Sequence, residues 1–225
     1  ILISLVACSL MLASVFFVAW FSIARKPYTL VWGCAFLVSA TQWIFNLYSR
    51  DIFDSRDVYW LCVCALQICV MSLSLWAHRC RVGKYTSIAG LIICGVFIEG
   101  LVAWFTLIQP HLGLRMSIAV FYTASGLLFI THALICYRRK PLPADIGPAL
   151  VTFVFALSQF AAGLAAFMQG ATGDEYYLQL YMTLNFTLLP SAYIGMGLFV
   201  VFILASDLSY DMRALAMTDQ LTGAL

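Results

Sequence analysis

Glu99 is the residue best placed to do chemistry in this sequence. It is an acid set inside the apolar stretch LIICGVFIEGLVAWF. A carboxyl group buried in such a run is a candidate for binding a ligand or handling a proton, because polar groups are costly there. Its competing roles are a structural hydrogen bond to a neighbouring helix and reaching toward the nearer membrane surface. Five other polar side chains sit inside apolar runs: Gln42, Gln67, Tyr122, Gln159 and Asn185. Together with Glu99 they fall near the middle of their runs or on one side of it, which suggests a ligand cavity open toward that side. Taken singly, each is more commonly an interhelical contact worth about 0.6 kcal/mol.

Other chemistries fit the residues less well. There are eight cysteines. Cys8, Cys34, Cys69 and Cys94 lie inside apolar runs, where a thiol behaves as a small hydrophobe. Cys62 and Cys64 are two apart on one helix and point to different faces. There is no C-x-x-C pair, and no His stands at ligand spacing from a Cys pair, so no metal site is expected. His78 and His132 fall at similar depth and could ligate a haem, although contact with phosphate headgroups is the commoner role there. A retinal pigment needs a Schiff-base lysine in its last span, and that span has no Lys. No basic stripe or recognition motif points to nucleic acid.

The elements that carry these residues follow from composition. Hydrophobic residues make up 64% of the 225 and charged residues 10%. An ordinary soluble domain carries about 25% charged residues. The mean hydropathy of +0.97 agrees, and one core of this size could not hide so much apolar surface from water. A bilayer core of about 30 Å needs about 20 apolar residues as a helix. Seven runs meet that length: 1–24, 28–48, 58–77, 86–108, 114–137, 147–169 and 178–205. Each must be helical, because lipid offers no partner to an open backbone. The expected fold is all-α, a polytopic transmembrane bundle of seven helices. The chain begins with Ile1 rather than Met, and the natural protein is expected to start earlier.

The joints between runs are short and give the orientation. One set carries Arg25, Lys26, Arg79, Arg81, Lys84, Arg138, Arg139 and Lys140. The other set carries Arg50, Arg56 and Arg115. Basic joints stay in the cytoplasm. The N-terminus is then outside and the C-terminus cytoplasmic. Trp20, Trp32 and Trp76 fall near inner ends, and Trp43, Trp60 and Trp104 near outer ends, as two interfacial belts would. No joint is long enough to hold a sensory domain.

Pro190, Gly195 and Gly197 interrupt span seven. Proline removes a backbone donor, and glycines allow close helix approach. Beyond the span, Leu208, Met212 and Leu215 recur at i, i+4 and i+7, one face of a helix that continues span seven. These residues are candidates for transmitting a signal.

The end of the chain reads RALAMTDQLTGAL. Leu215, Asp219, Leu221, Thr222 and Gly223 stand at the spacing with which GGDEF domains open. The stretch therefore resembles the start of the catalytic domain of bacterial diguanylate cyclases. The resemblance covers about a dozen residues, directly after a last span and a short linker. It implies a seven-helix membrane sensor region over 1–206, a juxtamembrane signalling helix over 207–217, and the first residues of a GGDEF domain at 218–225. It also implies a multi-pass protein of the bacterial cytoplasmic membrane. Cyclases of this family join two GTP into cyclic di-GMP with divalent metal, one GTP in each of two facing domains. GTP and Mg2+ are thus implied for the domain that would follow. A homodimer is implied as well, with a small molecule or a change in the bilayer as stimulus. The catalytic residues lie further along in that family, so none is expected among these 225. The alternative is a transporter or channel using the same polar residues. Sparse polarity in the inner half and the lack of a visible internal repeat count against it.

Overall fold

The computed structural model describes residues 1–22, 25–136 and 143–217. The motif at Asp219, Leu221, Thr222 and Gly223 lies outside the described residues. Within them the fold is helical and no strand occurs. Seven helices are long and apolar enough to cross a membrane. In chain order the elements are α1 (Leu2–Ser22), α2 (Pro27–Leu47), a short α3 (Ser49–Ile52), α4 (Arg56–Arg81), α5 (Ile88–Ala103), α6 (Leu112–Cys136), α7 (Pro143–Met168), α8 (Glu175–Thr183) and α9 (Leu189–Met217).

Local chemistry sets the helix starts. Pro27 opens α2, where its missing N–H costs nothing. Ser55 caps α4 by accepting from Val58 N–H, and Asp174 caps α8 by accepting from the N–H groups of Tyr176 and Tyr177. At the far end of α4, Gly83 turns the chain at φ 71°, a conformation that favours glycine. Two π turns extend helices, Trp104–Ile108 after α5 and Leu184–Leu188 between α8 and α9. The second is followed two residues on by Pro190, which cannot donate to a carbonyl one turn back. The wider turn absorbs that break and keeps the last span continuous.

Six long helices form a ring. Contacts run from α1 to α2, α4, α6, α7 and α9, and α9 closes the ring on α1. Helix α5 packs outside it, against α4 and α6, and buries only Gly95 and Val102. The ring is filled by residues such as Phe16, Trp32, Leu127, Ile130 and Ile203. In lipid such packing, rather than escape from water, holds helices together. The Tyr193 hydroxyl donates to Ser39 Oγ at 2.9 Å and lies 2.8 Å from Ser9 Oγ, which ties α9 to α2 and α1. Gly197 lets Leu12 of α1 sit against the backbone of α9, whereas a side chain at Gly195 would make only ordinary contact with Val151.

Several helices outrun their apolar stretches. Helix α4 continues to Arg81 and α7 begins at Pro143, beyond the expected 58–77 and 147–169. Helix α9 continues without a break to Met217. Hydropathy marks where the hydrocarbon ends, while backbone hydrogen bonding continues past it.

Candidate functional site

The joints after α2, α5 and α7 lie at one end of the bundle. Just below that end, the ring encloses a cavity of about 210 Å3. Gln42, Gln67, Gln159 and Asn185 all line it, together with Pro190. Glu99 and Tyr122 are not among its lining residues.

The carboxamides form two relays. In the first, Gln42 Nε2 donates to Gln67 Oε1 at 2.7 Å, and Gln67 Nε2 donates to Thr123 Oγ1 at 3.0 Å. The Thr123 hydroxyl in turn donates to the Ala119 carbonyl at 3.1 Å. In the second, Gln159 Nε2 approaches Asn185 Oδ1 at 3.5 Å, and Asn185 Nδ2 donates to the Tyr181 carbonyl at 3.1 Å. Nearby, the Tyr59 hydroxyl donates to Asn46 Oδ1 at 2.8 Å. The aromatic walls are Trp43, Trp60, Tyr59 and Tyr181. At the rim, the Arg115 guanidinium lies 5.6 Å from the Trp60 ring centre and pairs with Asp57 at 3.3 Å. Among the described residues, the lining itself holds amides, hydroxyls, a thiol and apolar groups, but no charged side chain. A lining of this kind suits an uncharged molecule, through hydrogen bonds and ring contacts.

Glu99 faces a different place. It lines a groove of about 540 Å3 between α4 and α5, which opens on the outer surface of the bundle. Its Oε2 is buried and has no hydrogen-bond partner among the described residues. Tyr122 is linked to the same groove, since its hydroxyl pairs at 2.7 Å with Ser72, a groove residue. The six polar residues singled out by sequence are therefore divided, four in the cavity and two at the groove.

Helix α9 connects the cavity to the opposite end. Asn185 stands in the π turn and Pro190 one turn on, both in the cavity wall. At the other end Asp207 is held by Arg81 of α4. The guanidinium makes a fork to that carboxylate, Nε to Oδ2 at 2.7 Å and Nη2 to Oδ1 at 2.8 Å. Its Nη1 reaches Asp145 Oδ1 of α7 at 2.8 Å. The Tyr28 hydroxyl of α2 donates to Asp207 Oδ2 at 3.1 Å. Four helices thus meet at one buried charged cluster. Beside it, His78 Nδ1 lies 2.8 Å from the Ser74 carbonyl, and its ring stands edge-on to Trp32. That imidazole is engaged in packing, whereas His132 is exposed on α6. Beyond the cluster, Leu208 packs on the core and Met212 is exposed. The Leu215 side chain lies outside the described residues.

In the sequence Arg81 belongs to a basic joint, and neither Asp145 nor Asp207 stands out. One signal was available: Arg81 follows His78 at i, i+3, on one helical face. The Asp145 and Asp207 partners are remote in sequence and visible only in the fold. Among the described residues, no group of His, Cys, Asp and Glu is placed to hold a metal ion. No family model, curated protein or solved structure matches the chain.

Proposed function

We propose that this chain is the membrane sensor and anchor of a diguanylate cyclase. In this reading the cavity end faces outward, the Arg81 cluster lies at the cytoplasmic surface of the bacterial inner membrane, and α9 carries the signal between them. The observation that carries the proposal is the course of α9. One helix lines the cavity with Pro190, is held by Arg81 at Asp207, and continues to Met217. The GGDEF-like residues Asp219, Leu221, Thr222 and Gly223 follow directly.

The mechanism is a shift between two placements of α9. A stimulus acts by binding the cavity differently in the two, and can shift the balance by no more than that difference. The Arg81 fork fixes the height and rotation of α9 where it leaves the bundle, since a guanidinium binds a carboxylate in a planar, two-bond geometry. Movement at Asn185 and Pro190 thus travels along α9 and must pass the point where this fork holds it. The tail then sets how two attached catalytic domains, each with GTP and Mg2+, face each other in a homodimer.

The test uses the protein that continues past Leu225, reconstituted in liposomes with GTP and Mg2+. It is expected to make cyclic di-GMP, with a rate that Asn185→Leu changes at least threefold while leaving the amount inserted unchanged. If no cyclic di-GMP forms, the proposal fails.

A further inference from the structure

The two carboxamide relays have a fixed direction, and that direction defines what the cavity accepts. Amide oxygen and nitrogen are hard to tell apart by shape, so their roles must come from the network. The Thr123 hydroxyl has one proton, which goes to the Ala119 carbonyl. Thr123 must then accept from Gln67, so the Gln67 carbonyl oxygen turns to Gln42, and Gln42 must answer with its N–H. The Gln42 carbonyl oxygen is left over. The second relay is anchored in the same way. Asn185 gives its N–H to the Tyr181 carbonyl, its oxygen turns to Gln159, and Gln159 answers with an N–H. The Gln159 carbonyl oxygen is also left over. Neither oxygen has a partner among the described residues, and neither is among the polar atoms closed off from all space. Both residues line the cavity, at 5% and 3% exposure. By contrast, the unpaired indole N–H of Trp60 is sealed from it.

We infer that the cavity binds a small, uncharged molecule that donates hydrogen bonds, a single ring or its equivalent in bulk carrying O–H or N–H groups. The ligand class rests on the sensor reading for its role as stimulus. Size follows from volume. An apolar cavity of about 150 Å3 takes a benzene ring, so about 210 Å3 takes one ring with one or two small substituents. Polarity follows from the two carbonyl oxygens, which an O–H or N–H of the ligand satisfies and an ether or a carboxylate cannot. The uncharged state follows from the lining, which offers no counterion, and from the Arg115 guanidinium already placed over Trp60.

The test uses this 225-residue chain in lipid nanodiscs, with fluorine NMR titrations of 4-fluorophenol, 4-fluoroanisole, 4-fluorobenzoate and 4-fluorobenzylammonium. Empty nanodiscs give the lipid background. 4-Fluorophenol is expected to bind at least fivefold more tightly than 4-fluoroanisole, in which a methyl group replaces the hydroxyl proton. The benzoate and the ammonium are expected to bind more weakly still. The double substitution Gln42→Leu and Gln159→Leu is expected to erase the preference for phenol over anisole. Equal binding of phenol and anisole to the unsubstituted chain overturns the inference. So does a preference for either ion, or no binding above empty discs, which would mean a water-filled cavity. These titrations involve no catalytic output. If they fail while Asn185→Leu still alters cyclic di-GMP synthesis, the ligand class falls and the sensor reading stands. The converse pair of results keeps the ligand class and removes the sensor.

Discussion

Replacing Arg81 with Met removes the group that holds three helices to a common point. The side chain is 1% exposed, and its carboxylate partners on Asp145 and Asp207 are 2% and 9% exposed. The substitution deletes three charge-assisted bonds, two to Asp207 and one to Asp145. Each such bond contributes about 1.5–3 kcal/mol, but the desolvation of the ions offsets much of the sum. The net cost is set by the two carboxylates left behind without the guanidinium, and breaking a buried pair in this way costs about 3–5 kcal/mol. Arg81→Lys keeps the charge and loses the fork, so a smaller cost of about 1.5–3 kcal/mol is expected, one charged hydrogen bond. Reversible unfolding of the chain in mixed micelles, followed by tryptophan fluorescence, measures both. Adding Asp207→Leu to Arg81→Met is expected to restore part of the loss, because one of the two carboxylates deprived of the guanidinium is gone. If Arg81→Met unfolds within about 0.5 kcal/mol of the unsubstituted chain, the size of a surface ion pair, the cluster does not hold α9.

Orientation can be read from single cysteines placed at Lys84 and at Asp54 in a cysteine-free background. An impermeant maleimide is expected to label position 54 from outside intact cells and position 84 only after lysis; the reverse pattern inverts the proposed topology. Gly197→Val pushes a side chain against Leu12 of α1. A cost of about 1–3 kcal/mol is expected in the same micelle titration, and an unchanged midpoint would mean that α1 and α9 do not pack as described. Glu99→Gln is expected to leave 4-fluorophenol binding within twofold, since Glu99 lines the α4–α5 groove and not the cavity. A larger change would join the two sites.

The seven spans were legible because each apolar run is long and the joints are short and polar. The helix extensions were not, because Arg81, Asp145 and Asp207 look like solvated joint or linker charges until three helices bring them together. The depth of Gln42, Gln67, Gln159 and Asn185 could be counted along each run. The direction in which each faces could not. Helix α5 shows why. It is apolar on nearly every side, so its sequence does not reveal that Glu99 turns to a groove shared with α4. Asn46 and Tyr59 went unnoticed, and Trp60 counted only as an interfacial ring, because all three stand at span ends, where polar and aromatic residues are ordinary. The π turn at Asn185 left only an indirect trace, the proline that follows it.

In the proposed mechanism α9 carries a signal from the cavity to a catalytic tail, past the Arg81–Asp207 fork that holds it. The most direct measurement is the rate of cyclic di-GMP formation from GTP by the protein extended past Leu225. It should be made in liposomes for the unsubstituted form and for Asp207→Asn, at equal inserted amounts. Asn keeps the size of the side chain and removes the charge that orients the fork. At least a threefold change in rate is expected, in either direction, with the KM for GTP unchanged. Equal rates, or no cyclic di-GMP from the unsubstituted protein, would contradict the mechanism.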